Sequence, residues 1–197
     1  MITLTDECVE NMSVARKLFR LFKSFNEYVK IIEIQKGKLP DFEKNLAIIT
    51  RIAFMFYWLF DNLSVLIKVK FLNGLDFKQM NRRASKCWLT GIWLSIVCAL
   101  VELYKASNRQ SKLLLSKANA TSVDNKDSNG EFDSAMKAVR AAKRTQVLNI
   151  IKNLGDSITA SQSLGYPEKY FGFNFNEGTV GCGGLLSSAI TCFQLYK

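Results

Sequence analysis

The chain has 197 residues, 27 of them Lys or Arg and 17 Asp or Glu, which gives a formal net charge of +10 alongside 48% hydrophobic residues. It contains no histidine, and this removes the commonest general base and the commonest metal ligand together. The five cysteines, Cys8, Cys87, Cys98, Cys182 and Cys192, show no CxxC spacing, which excludes the usual zinc frameworks and reads as reduced thiols serving as small hydrophobes.

So much apolar residue beside 22% charged residues means either one large core or apolar segments that lie in lipid between charged ones. Only two prolines suit a mostly helical chain. The first predicted element is a helix over 12–34. Turning about 100° per residue brings Arg16, Arg20, Glu27 and Lys30 within about 60° of Lys23, with Lys17 at the boundary. Val14, Leu18, Leu21, Phe25, Tyr28 and Ile32 fall opposite, widened by Phe22 and Val29. This is a basic amphipathic helix, and the Lys38-Leu39-Pro40 stretch closes it.

A second helix is predicted over 45–72. Its densest part, 52–60, is apolar all round, which excludes an ordinary half-exposed surface helix. Arg51 and Asp61 leave only nine uncharged residues between them, against the roughly 20 that a clean span needs. The connection that follows is basic, with Lys68, Lys70, Lys78, Arg82, Arg83 and Lys86 against Asp76. A third helix is expected over 87–104, where residues 87–101 carry no charge. Residues 116–133 are small and polar and predict a flexible, exposed linker.

Residues 134–197 form the helical C-terminal part. Lys137, Arg140 and Arg144 lie on one side of its first helix, and Val147, Ile150, Ile151 and Leu154 begin an apolar face. A turn at Gly165-Tyr166-Pro167 separates it from a second, uncharged helix over 178–196. There Thr179, Gly183 and Ser187 repeat every four residues, as do Gly184 and Ser188. Small residues at that interval let helix backbones approach closely in lipid.

Tests for chemistry fail. The glycines of 178–184 are followed by Leu185 and Leu186, where a phosphate loop needs a Lys and a Ser or Thr. Asp61 and Asp156 are isolated acids without a neighbouring base or nucleophile, and helix capping or a partner cation such as Arg51 explains them better. No catalytic residue, cofactor or metal site is assigned, and the chain is not read as an enzyme. Nucleic-acid binding would need exposed aromatics interleaved with the cations; here they sit on opposite faces, which suits an anionic phospholipid membrane. Arg16, Lys17, Arg20, Lys23 and Lys30 are the expected headgroup contacts. Val14, Leu18, Leu21, Phe22, Phe25, Tyr28 and Ile32 are the expected inserting residues.

Three stretches in order resemble the peroxisomal membrane elongation family, built around the peroxin numbered eleven. They are residues 14–28, the aromatic segment 56–63 with its Asp61-Asn62, and Leu154-Gly155-Asp156 followed by the glycine-rich run 178–188. The resemblance implies an all-α, single-domain protein over 1–197 in the peroxisomal membrane. It would elongate that membrane before fission by inserting its amphipathic helix, with self-association and recruitment of a dynamin-related GTPase. Fewer residues precede the amphipathic helix here than in family members, so contacts that the family places upstream are not assigned. Two other readings stand beside it: a membrane channel for small metabolites, and a soluble helical adaptor whose apolar stretches form a core.

Overall fold

The computed structural model describes residues 8, 12, 15, 17, 19–119 and 126–196, with side chains in the last stretch from residue 130. Among them are six helices and no strand: α1 (Lys23–Lys36), α2 (Asp41–Lys68), α3 (Phe77–Asn119), α4 (Lys126–Leu164), α5 (Tyr166–Phe171) and α6 (Glu177–Leu195). The all-α expectation holds.

The boundaries depart from the sequence reading in four places. A continuous helix over 12–34 is expected, but residues 19–22 form a turn, and Phe22 takes φ 68 before α1 begins. The second helix starts earlier and stops sooner than 45–72: Pro40 sets its start at Asp41, and the chain reverses after Lys68 through Lys70 at φ 58 and Gly74 at φ 91. The expected 87–104 helix is the middle of the 43-residue α3.

Of the expected linker over 116–133, residues 116–119 belong to α3 and 126–133 to α4, while 120–125 lie outside the described residues. Side-chain packing drives this last difference. The Lys117 ammonium lies 4.2 Å from the Phe132 ring centroid, and Met136 and Val139 are buried just beyond. These contacts stabilise helix in a stretch whose small polar residues alone predict none.

Each helix packs on its neighbour in the chain: α1 on α2, α2 on α3, α3 on α4, and α4 on both α5 and α6, with no other pair in contact among the described residues. The helices therefore pack pairwise, without one shared centre. Their exposed surface is 13822 Å², against about 9,400 Å² for a compact chain of this mass. The buried core is a set of seams. Ile92, Ile96 and Ala160 close the α3–α4 seam beside Trp88 and Leu89. On the α2–α3 seam the Phe54 ring lies across Gly91, where a Cβ would meet it at 3.0 Å, and Tyr57 stacks on Trp88 at 5.8 Å.

Neighbouring helices run antiparallel. Lys143 on α4 hydrogen-bonds Ser107 and Gln110 on α3, while Ala160, further along α4, meets Ile92 and Ile96. Gln194 near the end of α6 donates to Asn149, and Asp156 accepts from Ser187. α3 and α6 thus run in the same direction, with α4 returning between them.

Candidate functional site

Three helices, α2, α3 and α6, are long and apolar enough to cross a membrane. α2 is the one interrupted by charge, and α1 with the turn before it supplies the counter-charges. Lys17 Nζ lies 3.0 Å from Asp61 Oδ1, and Arg51 Nη1 lies 3.3 Å from Glu27 Oε2. Lys17 and Glu27 are ten positions apart, as are Arg51 and Asp61, so the two rungs fit one antiparallel register about 15 Å apart along α2. Asp61 is 5% exposed and Glu27 7%, which makes both acids costly to bury without these partners. Between the rungs, the Trp58 ring carries Lys23 at 4.6 Å and Arg20 at 5.9 Å.

The cations expected to face headgroups are therefore largely turned to α2. Lys17 pairs with Asp61, Arg20 and Lys23 lie over Trp58, and Lys30 binds Glu27 at 2.7 Å. The apolar α2 needs its charges compensated at short range, and α1 with the turn before it presents its polar side to do so. Arg51 is accordingly the partner of Glu27, not of Asp61 as its sequence position suggests. Arg16, Val14 and Leu18 lie outside the described residues.

The opposite side of this segment points away from the protein. Phe22 is 68% exposed, Phe25 64% and Tyr28 54%, while Leu21 and Ile32 are half-buried. The turn adds Phe19, at 92% exposure. On an unbroken wheel Phe19 falls among the cations, so the periodicity gives no hint of it. α1 runs back along α2 from the connection at 37–40 past Arg51, opposite Glu27, to Trp58, opposite Lys23.

The small residues of α6 serve α4 of the same chain. A Cβ on Gly155 would sit 2.6 Å from the Gly183 carbonyl oxygen, and one on Gly183 would sit 2.9 Å from that of Gly155. Ser187 is buried against Asp156 on the same face. Thr179 acts at the helix start instead, where its N–H and hydroxyl both donate to Asn176 Oδ1 at 2.7 and 2.6 Å. Gly184 has no neighbour within 4 Å of its Cβ position, and Ser188 is exposed.

The family described as "Peroxisomal biogenesis factor 11 (PEX11)" matches residues 2–196. The chain is also 30% identical over 200 residues to a Dictyostelium discoideum protein named "Peroxisomal membrane protein 11 homolog", covering 92% of this chain and 74% of that one. No solved structure matches it.

Proposed function

The chain belongs to the peroxisomal biogenesis factor 11 family, and from that premise we propose that it elongates the peroxisomal membrane by wedging the aromatic side of its N-terminal segment into one leaflet. It is a peroxisomal membrane protein, which sets aside the soluble-adaptor reading.

One observation carries the proposal: Phe19, Phe22, Phe25 and Tyr28 are 54–92% exposed on a segment whose other side is pinned to an apolar helix by two ion pairs. In water such a face is unfavourable; in acyl chain each aromatic gains roughly 1.5–3 kcal/mol. Because α1 and the turn before it flank α2 from its start only as far as Asp61, their cross-section is added mainly toward that end. Expanding one leaflet against the other favours curvature toward the expanded side. The expected lipid is anionic, since Lys36, Lys38 and Lys44 gather around the α1–α2 connection. Recruitment of a dynamin-related GTPase and gathering of several copies are the later steps that the family resemblance implies.

The test is reconstitution of the full chain into vesicles of mixed anionic and zwitterionic phospholipid, followed by electron microscopy. The wild type should draw tubules from vesicles. Tubules of undiminished number and width from a Phe19→Asp, Phe25→Asp variant would end this reading.

A further inference from the structure

Helices α1 and α4 both lie against the α2–α3 pair without touching each other, and the space between them is a cavity of about 460 Å³. That is the size of a small-ligand site. Its wall includes Arg51 from α2, Glu102 from α3, and Gln146, Asn149, Lys152 and Asn153 from α4. Glu102 is the first charge beyond the uncharged run 87–101, and the cavity extends from it to Ser95 and Phe54 beside that run. Polar groups therefore line a space at the height of the apolar helices.

α4 is built for this position. Gln146, Asn149, Lys152 and Asn153 turn toward the cavity, while Val147, Ile151 and Leu154 are 37–46% exposed on the outside. A helix with its apolar side outward and its polar side inward suits a lipid surround, where polar groups collect in the interior.

Two polar groups that line the cavity are open to a ligand. Asn153 is 8% exposed, and its side-chain amide forms no hydrogen bond within the chain among the described residues and opens onto the cavity. Lys152 is half-buried and forms no ion pair within 4 Å among them, although its charge also acts on Asp156, one turn on, which Ser187 hydrogen-bonds. The other charges are matched: Arg51 with Glu27, and Glu102 with Lys105. Lys152 is therefore the cavity cation without a direct ion-pair contact, which suits one negative charge rather than a polyanion.

We propose that this cavity holds the phosphodiester headgroup of a glycerophospholipid, with Lys152 beside the phosphate, Asn153 donating to one of its oxygens and Arg51 adding positive potential. The acyl chains leave through the gap between α1 and α4, along the exposed side of Ile151 and Leu154. The site stands apart from the aromatic wedge and does not depend on it.

The experiment titrates the full chain, held in a phosphate-free glycosidic detergent, with a water-soluble short-chain phosphatidylglycerol. Saturable binding is expected, weakened about tenfold by Lys152→Gln, the scale of one charge-assisted hydrogen bond. Lys152→Arg should restore it, and Asn153→Leu should weaken it while helical content by circular dichroism stays constant. Lys143→Gln, outside the cavity, should leave binding unchanged.

Two competitors separate the sources of the ligand. Glycerol 3-phosphate has the phosphate without chains, and a short-chain diacylglycerol has the chains without phosphate; neither should match the phospholipid. Equal binding of glycerol 3-phosphate would make this a site for a soluble phosphate ester and overturn the lipid assignment. Absence of saturable binding would overturn the site itself. So would equal binding of the diacylglycerol, or indifference to both Lys152→Gln and Asn153→Leu.

Discussion

Lys17 Nζ sits 3.0 Å from Asp61 Oδ1, and their side chains are 29% and 7% exposed. The acid stands about three-quarters of the way along an apolar helix, and the cation that neutralises it comes from the far side of a turn. This pair and its companion, Glu27 with Arg51, explain how α2 carries Arg51 and Asp61 within its apolar stretch and remains apolar enough to cross a membrane. They also fix the N-terminal segment in place, so the exposed aromatics are held at a set height along α2.

Removing one partner of the pair leaves a buried charge without compensation. Lys17→Met should lower the unfolding free energy by about 2 kcal/mol, below the usual cost of breaking a buried pair because Lys17 is still partly reached by water. Lys17→Met with Asp61→Leu should recover most of the loss. Unfolding of the detergent-solubilised chain across the full double-mutant cycle measures the coupling. Strictly additive effects of the two changes would show that the pair contributes nothing.

The α4–α6 contact predicts a sharp contrast between adjacent glycines. Gly155→Ala and Gly183→Ala each drive a methyl group into a backbone carbonyl oxygen, at 2.6 and 2.9 Å. Both should cost about 1–3 kcal/mol by forcing the helices apart. Gly184→Ala meets nothing within 4 Å and should change stability by less than about 0.5 kcal/mol. Thermal unfolding and limited proteolysis at the 172–176 connection would read the difference. Equal stability of all three variants would mean that the two helices do not meet at these glycines.

Phe22→Asp and Phe25→Asp probe the wedge one residue at a time. Both side chains are more than 60% exposed, so neither change opens a cavity, and folding in detergent should shift by less than about 0.5 kcal/mol. Vesicle tubulation should fall steeply in each, since a carboxylate must then enter acyl chain. Phe56→Asp offers a comparison: it is 42% exposed on α2 itself and should impair insertion of the helix rather than tubulation alone. Cosedimentation with vesicles separates these outcomes.

What could be read from the residues alone divides along physical lines. Apolar runs announce themselves by length, so α2, α3 and α6 were legible, and the four-residue spacing through Gly183 and Ser187 marked a close helix contact. The break at 19–22 was not, because no Gly, Pro or Asn stands there and the positive φ falls on Phe22. The partners of Arg51 and Asp61 lie 24 and 44 residues away, beyond any local pattern. α4 escaped detection as a helix at membrane height because Gln146, Asn149, Lys152, Asn153 and Asp156 dilute its average hydropathy while its outer side stays apolar. Segregation of polarity, rather than its mean, carried that information.

Three helices are long and apolar enough to cross a membrane, and their directions bear on a fourth. α3 and α6 point the same way, and α4 runs back between them with Lys143 at the level of Ser107 and Ala160 at the level of Ile92. If α3 and α6 both cross, the chain must return through the bilayer along α4. The connection at 37–40, the α3–α4 tip and the end of α6 then share one side, and the connections at 69–76 and 172–176 share the other.

The wedge adds area at the first side, so that side must be cytosolic for the membrane to bulge outward. Charge agrees: the extension beyond the apolar run carries Lys105, Arg109, Lys112, Lys117, Lys137, Arg140, Lys143 and Arg144, more than the six cations of 68–86. Protease protection on intact peroxisomes, with tags inserted at Lys38, Ser116, Gly74 and Gly172, gives the answer directly. The first two should be cleaved and the last two protected until detergent is added. Protection at Lys38 with cleavage at Gly74 would put α1 in the inner leaflet, where the same aromatic side chains would bend the membrane inward.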